Sequence, residues 1–311
     1  MSHILVLNFS NMGDILMTIP VIDSFAQQHP DVRLTVVSRA GAKPVFALLP
    51  ANVSFVIADL NGEHHGWKGM NLLGRRLLAL QPTHIADLHD SLKTKYLRMR
   101  FALAGQNVKK IRKERHTRKR LLQMDTKATQ TCFIEKYADV FRRLGYKDFH
   151  PHFKSIFSVG GANLATILPK FDASLYQKRN WVAVAPFANH DEQIFSLGLM
   201  EEFIGQLSAR TDVNIFLLGG QKESSTLAAW AERYPCVEVM SDQLHGLIEK
   251  AALISHCSVM VCVDPTDIHL ASLVAVPVIC IRKDTHLTDG SQSFSILQPK
   301  EIMTRIDQYL H

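Results

Sequence analysis

Two doubly wound α/β domains, divided near residue 160, are the architecture this sequence predicts. Short apolar runs alternate with stretches of helical periodicity from His3 to Asp90, and the alternation starts again at Asn180. The segment between, His150 to Ala173, holds Pro151, Gly160, Gly161 and Pro169 without any period, which is the texture of a domain change. A length of 311 residues is long for one core and suits two of about 150. The expected domains are therefore 1–160 and 161–311. Each should be Rossmann-like, the two facing a central cleft, with the C-terminal helix left the option of packing back on the first.

The elements follow in order. His3 to Leu7 is a short apolar strand, and Ile15, Ile19, Ile22, Phe25 and Ala26 give the spacing of one helix from Ile15 to Gln28, closed by His29 and Pro30. Val32 to Ser38 and Val53 to Ala58 are strands around a helix from Ala42 to Leu49. Asn61 to Gly69 is aperiodic and rich in turn formers, so it reads as a mobile loop. A helix from Met70 to Leu80 and a strand from Thr83 to Leu88 complete this half. Helices follow over Lys93 to Leu103 and Cys132 to Leu144, around a short strand Val108 to Ile111 and a second basic helix. In the second half, strands at Asn180 to Pro186, Asn214 to Leu218 and Val237 to Met240 alternate with helices from Leu197, Ser224 and Leu244. Val259 to Val263 is almost wholly apolar, as in a strand buried on both faces; a polar turn, a helix and a second apolar run, Val276 to Ile281, come next. Lys300 to Leu310 closes the chain as a helix.

Composition narrows the class. With 47% hydrophobic and 21% charged residues the chain is an ordinary globular one, and no apolar stretch nears the roughly 18 to 20 residues that span a bilayer. The start, Met1 to Leu7, lacks the basic residues and cleavage site of a signal peptide, and the five cysteines show no CxxC pairing, so reduced thiols in a cytosolic protein are expected. The net charge of +6 is concentrated between Lys93 and Arg120, where Lys93, Lys95, Arg98, Lys113, Arg115, Arg118, Lys119 and Arg120 are among the cations set against the single acid Glu114. This block is a solvated helix face or a surface for a polyanion, either a phosphorylated glycolipid or an anionic membrane. It carries no nucleic-acid-binding motif, and nucleic acid is not an expected partner.

Strand-to-helix turns are where chemistry is expected, because ligands of parallel sheets sit beyond the carboxyl ends of the strands. Asn8 to Asp14 is the first such turn: Gly13 suits a close approach or an unusual torsion, and Asp14 either caps the helix or acts as a general base. It is not a GxGxxG fingerprint, so nicotinamide chemistry has no support. Gly219 and Gly220 form a tight turn that admits a close approach by a ligand or a helix. The strongest turn is Asp264 to Asp267, with Pro265 and Thr266 between and His269 in the helix start, and it suits the phosphates of a nucleotide-sugar. His269 is a structural histidine or a site residue. A metal reading of Asp264 and His269 lacks further ligands at recognisable spacing, so no metal is expected.

Several stretches together resemble glycosyltransferase family 9, the ADP-heptose:lipopolysaccharide heptosyltransferases. They are Asn8 to Pro20, Asp87 to Lys95, Lys110 to Leu121, Ala185 to Ala188, Leu217 to Gly220 and Val263 to Leu273. Their order and spacing carry the resemblance, which runs from the first residues to about Pro277. It implies a GT-B architecture, an N-terminal acceptor domain, a C-terminal nucleotide-sugar domain, and inversion of the anomeric centre without metal or cofactor. On that template Asp14 is the catalytic base. Gly13, Gln193, Gly219, Gly220, Asp264, Thr266, Asp267 and His269 border the ADP-sugar, with backbone at Thr266 and Asp267 meeting the diphosphate. The implied acceptor is a lipopolysaccharide core or related anionic glycolipid, used at the cytoplasmic face of the inner membrane with peripheral contact to it.

Three positions depart from the family pattern. Gln193 stands where a lysine usually balances donor phosphate, Pro265 and Thr266 replace the usual small pair and remove an N–H, and Arg282 to Asp284 replaces a glycine after the last strand. Losing one such cation weakens transition-state stabilisation by about 2 to 4 kcal/mol. Arg282 or Lys283 is the candidate replacement. The alternative is a catalytically weakened member that binds a nucleotide or glycan.

Overall fold

The computed structural model describes residues 2–112, 126–176, 180–187, 196–234, 236–281, 284–288, 291–295 and 298–310. The chain divides into two compact units, Met1–Phe153 and Lys154–His311. The division falls a few residues before the expected one because Ile156 already donates its N–H to Leu273 O (2.8 Å) and Ala162 donates to Ser255 Oγ (3.0 Å), both in the second unit.

In the first unit, β1 (His3–Leu7), β2 (Arg33–Ser38), β3 (Val53–Ile57), β4 (His84–Asp87) and β5 (Asn107–Lys110) form a parallel sheet in the order β3-β2-β1-β4-β5. β1 is the central strand and every residue in it is buried, which is why it reads as an unbroken apolar run. The chain winds outward one way from β1 and then returns to its other side, so the switch of direction lies between β1 and β4.

The helices show where periodicity misleads. Instead of one helix from Ile15, there are two, α1 (Met12–Leu16) and α2 (Ile19–Gln28). Pro20 has no N–H to return to Leu16 O, so the first helix stops and a second begins with proline in its opening turn. After α3 (Lys43–Phe46), α4 (Gly66–Ala79) starts inside the segment expected to be a mobile loop. Gly69 explains this: a Cβ there would come within 2.3 Å of the His64 carbonyl carbon, so only glycine lets the helix begin against that backbone. α5 (Leu92–Leu103) is capped reciprocally by Ser91 and Thr94. Leu73 and Leu77 of α4 and Leu97 and Phe101 of α5 close over Leu5, Leu7 and Ile85. α6 (Thr126–Arg143) packs on α2, with the Phe25 and Phe141 rings 4.6 Å apart and Phe149 at 5.2 Å from Phe25.

The second unit repeats the plan. After the short α7 (Leu164–Ile167), β6 (Asn180–Ala185), β7 (Val213–Leu217), β8 (Val237–Val239), β9 (Val259–Cys262) and β10 (Val278–Cys280) run parallel in the order β10-β9-β6-β7-β8. Its first strand is again central, and its direction switches between β6 and β9. The helices are α8 (Leu197–Ser208), α9 (Ser224–Arg233), α10 (Leu247–Ile254), α11 (Pro265–Leu273) and α12 (Pro299–Ile306). A hairpin that the sequence did not suggest, β11 (Asp284–Thr288) with β12 (Ser291–Ser295), precedes α12. α12 packs on α8, and its Ile302 and Ile306 join Phe203 and Leu207 in this unit's core. Among the described residues no helix is long and apolar enough to cross a membrane.

Candidate active site

At the first unit's switch point, the loop after β1 is pinned before it reaches Asp14. Asn8 is buried; its Oδ1 accepts from Ser10 N (3.1 Å) and Ser10 Oγ (2.6 Å), while Ser38 Oγ donates to Asn8 O (2.6 Å). Asn11 caps α1, accepting from Asp14 N at 2.9 Å. The cap position is thus taken by Asn11, and Asp14 is a half-buried residue of the first turn. Gly13 takes ordinary helical backbone and not a left-handed one. A neighbour invisible in the sequence is Tyr137 of α6: burial and then the negative charge of Asp14 push its phenol well above its usual range, so the two groups share one electrostatic environment.

Across the switch, β4 ends in a web of charge. Asp87 is fully buried, and its Oδ1 accepts the N–H groups of His89 and Asp90, each at 2.9 Å. Arg98 Nε lies 3.1 Å from Asp87 Oδ2, and the same guanidinium reaches Asp90 Oδ1 at 2.8 Å. Lys110 Nζ holds the other Asp90 oxygen at 2.9 Å. Burial alone would raise the Asp90 carboxyl, but the Lys110 hydrogen bond and the Arg98 charge outweigh it and hold it below the usual range. Arg98, expected on an anion-binding surface, is instead turned inward because a buried carboxylate needs a partner. Lys93 and Lys95 do stand exposed on α5. Lys113, Arg115, Arg118, Lys119, Arg120 and the second basic helix lie outside the described residues.

The second unit's switch point is built differently. Asp264, separated from the end of β9 by Val263 alone, caps α11: its Oδ1 accepts from Thr266 N (2.6 Å) and its carbonyl from Asp267 N (3.1 Å). With Pro265 lacking an N–H, the main-chain donors expected to grip an anion at Thr266 and Asp267 are already engaged with Asp264. A cation takes up position there instead. Lys250, the one basic residue of α10, places Nζ 2.5 Å from Asp267 Oδ1. Burial raises the Asp267 carboxyl against the pull of Lys250. His269, one turn into α11, is pushed down to about 4 by burial, opposed by the Asp264 charge, so it is a neutral imidazole near pH 7. Its Nδ1 has no hydrogen-bond partner among the described residues. Sequence reasoning missed Lys250; its only signal is a lone lysine in the otherwise apolar end of Leu247–Ile254.

Gly219 has a packing reason: a Cβ there would meet Leu227 Cδ1 at 2.7 Å, so glycine lets α9 close on β7. Gly220 N donates to Glu223 Oε2 at 2.9 Å, tying off the turn. Gln193, Arg282 and Lys283 lie outside the described residues.

A sequence profile of glycosyltransferase family 9 (heptosyltransferase) matches residues 72–288. The chain belongs to glycosyltransferase family 9. No curated protein matches it. Among solved structures, the E. coli heptosyltransferase WaaC with ADP-2-deoxy-2-fluoro heptose is similar at 18% identity, over 98% of this chain and 99% of that one, with a TM-score of 0.68. E. coli ADP-heptose lps heptosyltransferase II aligns at 16% identity over 99% and 98%, TM-score 0.68. A family 9 glycosyl transferase from Veillonella parvula aligns at 14% over 99% and 97%, TM-score 0.74. At such identities the likeness is one of fold: two Rossmann-like units of the GT-B class. In this family 9 chain, Asp14 and the Asp264–His269 turn occupy the strand ends where parallel sheets take ligands.

Proposed function

We propose that this family 9 member is an inverting, metal-independent glycosyltransferase moving a heptose-like sugar from an ADP-sugar to a lipopolysaccharide core or related anionic glycan. Family membership together with Lys250 and His269 at the head of α11 is the observation that carries the reading. The ADP donor is supported by two E. coli structures described with ADP and with ADP-2-deoxy-2-fluoro heptose. In the reaction, an acceptor hydroxyl attacks the anomeric carbon, its proton passes to the Asp14 carboxylate, and the bond to the diphosphate oxygen breaks. ADP leaves with the electron pair. Negative charge then grows on that oxygen, and the Lys250 ammonium with a hydrogen bond from neutral His269 stabilises it, the task a divalent metal performs elsewhere. A sugar hydroxyl is a weak nucleophile, which is why a carboxylate at the N-terminal switch point matters. Lys250 thus takes the part of the lysine missing at Gln193. An anionic glycolipid acceptor places the enzyme at the cytoplasmic face of a membrane.

The test is ADP release from a panel of nucleotide-sugars in the presence of a heptose-deficient lipopolysaccharide core, alongside thermal shift with each donor. Donor-dependent stabilisation with acceptor-dependent ADP release is the expected result. Stabilisation without turnover points to the binding-protein alternative, and the absence of any shift with millimolar ADP-sugar overturns the reading.

A further inference from the structure

Helix α5 has apolar residues on two opposite sides. Leu97 and Phe101 are fully buried in the first unit's core. On the far side Leu92, Met99 and Leu103 are 80%, 59% and 89% exposed. At about 100° per residue, positions 92, 99 and 103 fall within a narrow arc that also contains Tyr96. The arc lies opposite Leu97 and Phe101, so it forms a ridge along the whole helix. Trp67, at the start of α4 and 69% exposed, sets its ring 5.4 Å from that of Tyr96 and widens the ridge.

What borders the ridge identifies its occupant. Lys93 falls on one flank and Lys95 on the other, Arg100 is turned onto Asn71 of α4, and α5 contains no acidic residue. The nearest acids in sequence, Asp87 and Asp90, are already paired with Arg98 and Lys110. A two-fold contact between copies of this chain would set these lysines against each other. A bilayer with anionic headgroups meets every feature: aliphatic side chains enter the headgroup layer, ammonium groups stay at the phosphates, and an indole sits at the interface.

We propose that α5, together with Trp67, docks this protein on the surface of an anionic lipid bilayer through the Leu92–Met99–Leu103 ridge. The inference requires neither a particular donor nor a particular acceptor.

The full chain is floated with vesicles of phosphatidylcholine in which about a third of the lipid is phosphatidylglycerol, and with phosphatidylcholine alone. It floats with the mixed vesicles and stays behind with the neutral ones, and added salt releases it. Trp67 reports directly, because the other two tryptophans, Trp181 and Trp230, are buried; its emission moves to the blue on the mixed vesicles. Leu92→Ser/Met99→Ser/Leu103→Ser keeps its melting temperature and binds at least tenfold more weakly, and Lys93→Gln/Lys95→Gln loses roughly 30-fold. Wild-type protein that stays soluble, or a triple variant that floats as wild type does, overturns the proposal. So does a solution dimer that the triple variant dissolves, which would assign the ridge to a second copy. Donor-dependent thermal shift on the same samples keeps failure here distinct from failure of the transferase reading.

Discussion

The two switch points occupy the same place in the same topology and are stabilised in opposite ways. Where the first sheet changes direction, Asp87 and Asp90 are answered by Arg98 and Lys110, so these charges are balanced within the web. Where the second changes direction, the Asp264 carboxylate caps α11, Lys250 answers Asp267, and His269 Nδ1 has no hydrogen-bond partner among the described residues. One arrangement fixes the turn after β4 with charges that cancel. The other leaves a cation and a neutral donor at the head of a helix. The same fold position thus leaves different groups at the strand ends, according to how each carboxylate is satisfied.

The comparison breaks most readily at Asp14. Asp14→Asn should lower kcat by about 10²- to 10⁴-fold with an unchanged melting temperature, and undiminished turnover would remove the first switch point from the reaction. Arg98→Met tests whether its neighbour is truly a structural web. It should cost about 3 to 5 kcal/mol of unfolding free energy in urea, since it strands a buried carboxylate. Lys95→Met on the same helix should stay within about 0.5 kcal/mol. A loss as small for Arg98 would return it to the surface.

Histidine 269 separates the two regions by pH. Its folded value lies below the free value, so the unfolded chain binds the extra proton between pH 6.5 and about 4. Stability is therefore full above 6.5 and falls as pH drops toward 4, by roughly 3 kcal/mol at most. His269→Gln should flatten that limb of the urea-midpoint profile, and an unaltered limb would mean that burial does not govern this imidazole. The smallest effect is the sharpest. Lys250→Met should weaken ADP binding roughly tenfold by calorimetry, whereas Asp267→Asn, which releases Lys250 from its partner, should preserve or strengthen it. Equal losses in the two variants would make the pair structural.

The central strands of both sheets were legible because buried parallel strands are apolar on both faces; β1 and β6 fall where the sequence places them. Helix ends were less so. Pro20 splits a continuous apolar period, and Gly69 starts a helix inside a polar stretch because of a steric fit that no composition reveals. The hairpin over Asp284–Ser295 carries no apolar alternation to announce it. At the site, the turns at Asp14 and Asp264 were visible as polar breaks after apolar runs. Tyr137, Lys250 and the inward Arg98 were not, since each acquires its role from a residue on another element. The distance is long for Tyr137, whose partner Asp14 lies on the first helix, and short for Arg98, whose charge looked like one cation among many until Asp87 proved to be buried beneath it.

Each sheet has its earliest strand at its middle. On a ribosome, β1 gains a flank when β2 emerges, yet its other edge stays open until β4 has been made, with an apolar ribbon uncovered in the meantime. The same wait recurs for β6 until β9 appears. Slow translation between those strands should therefore favour aggregation more than slow translation after them, a vulnerability written into strand order and independent of any catalytic residue.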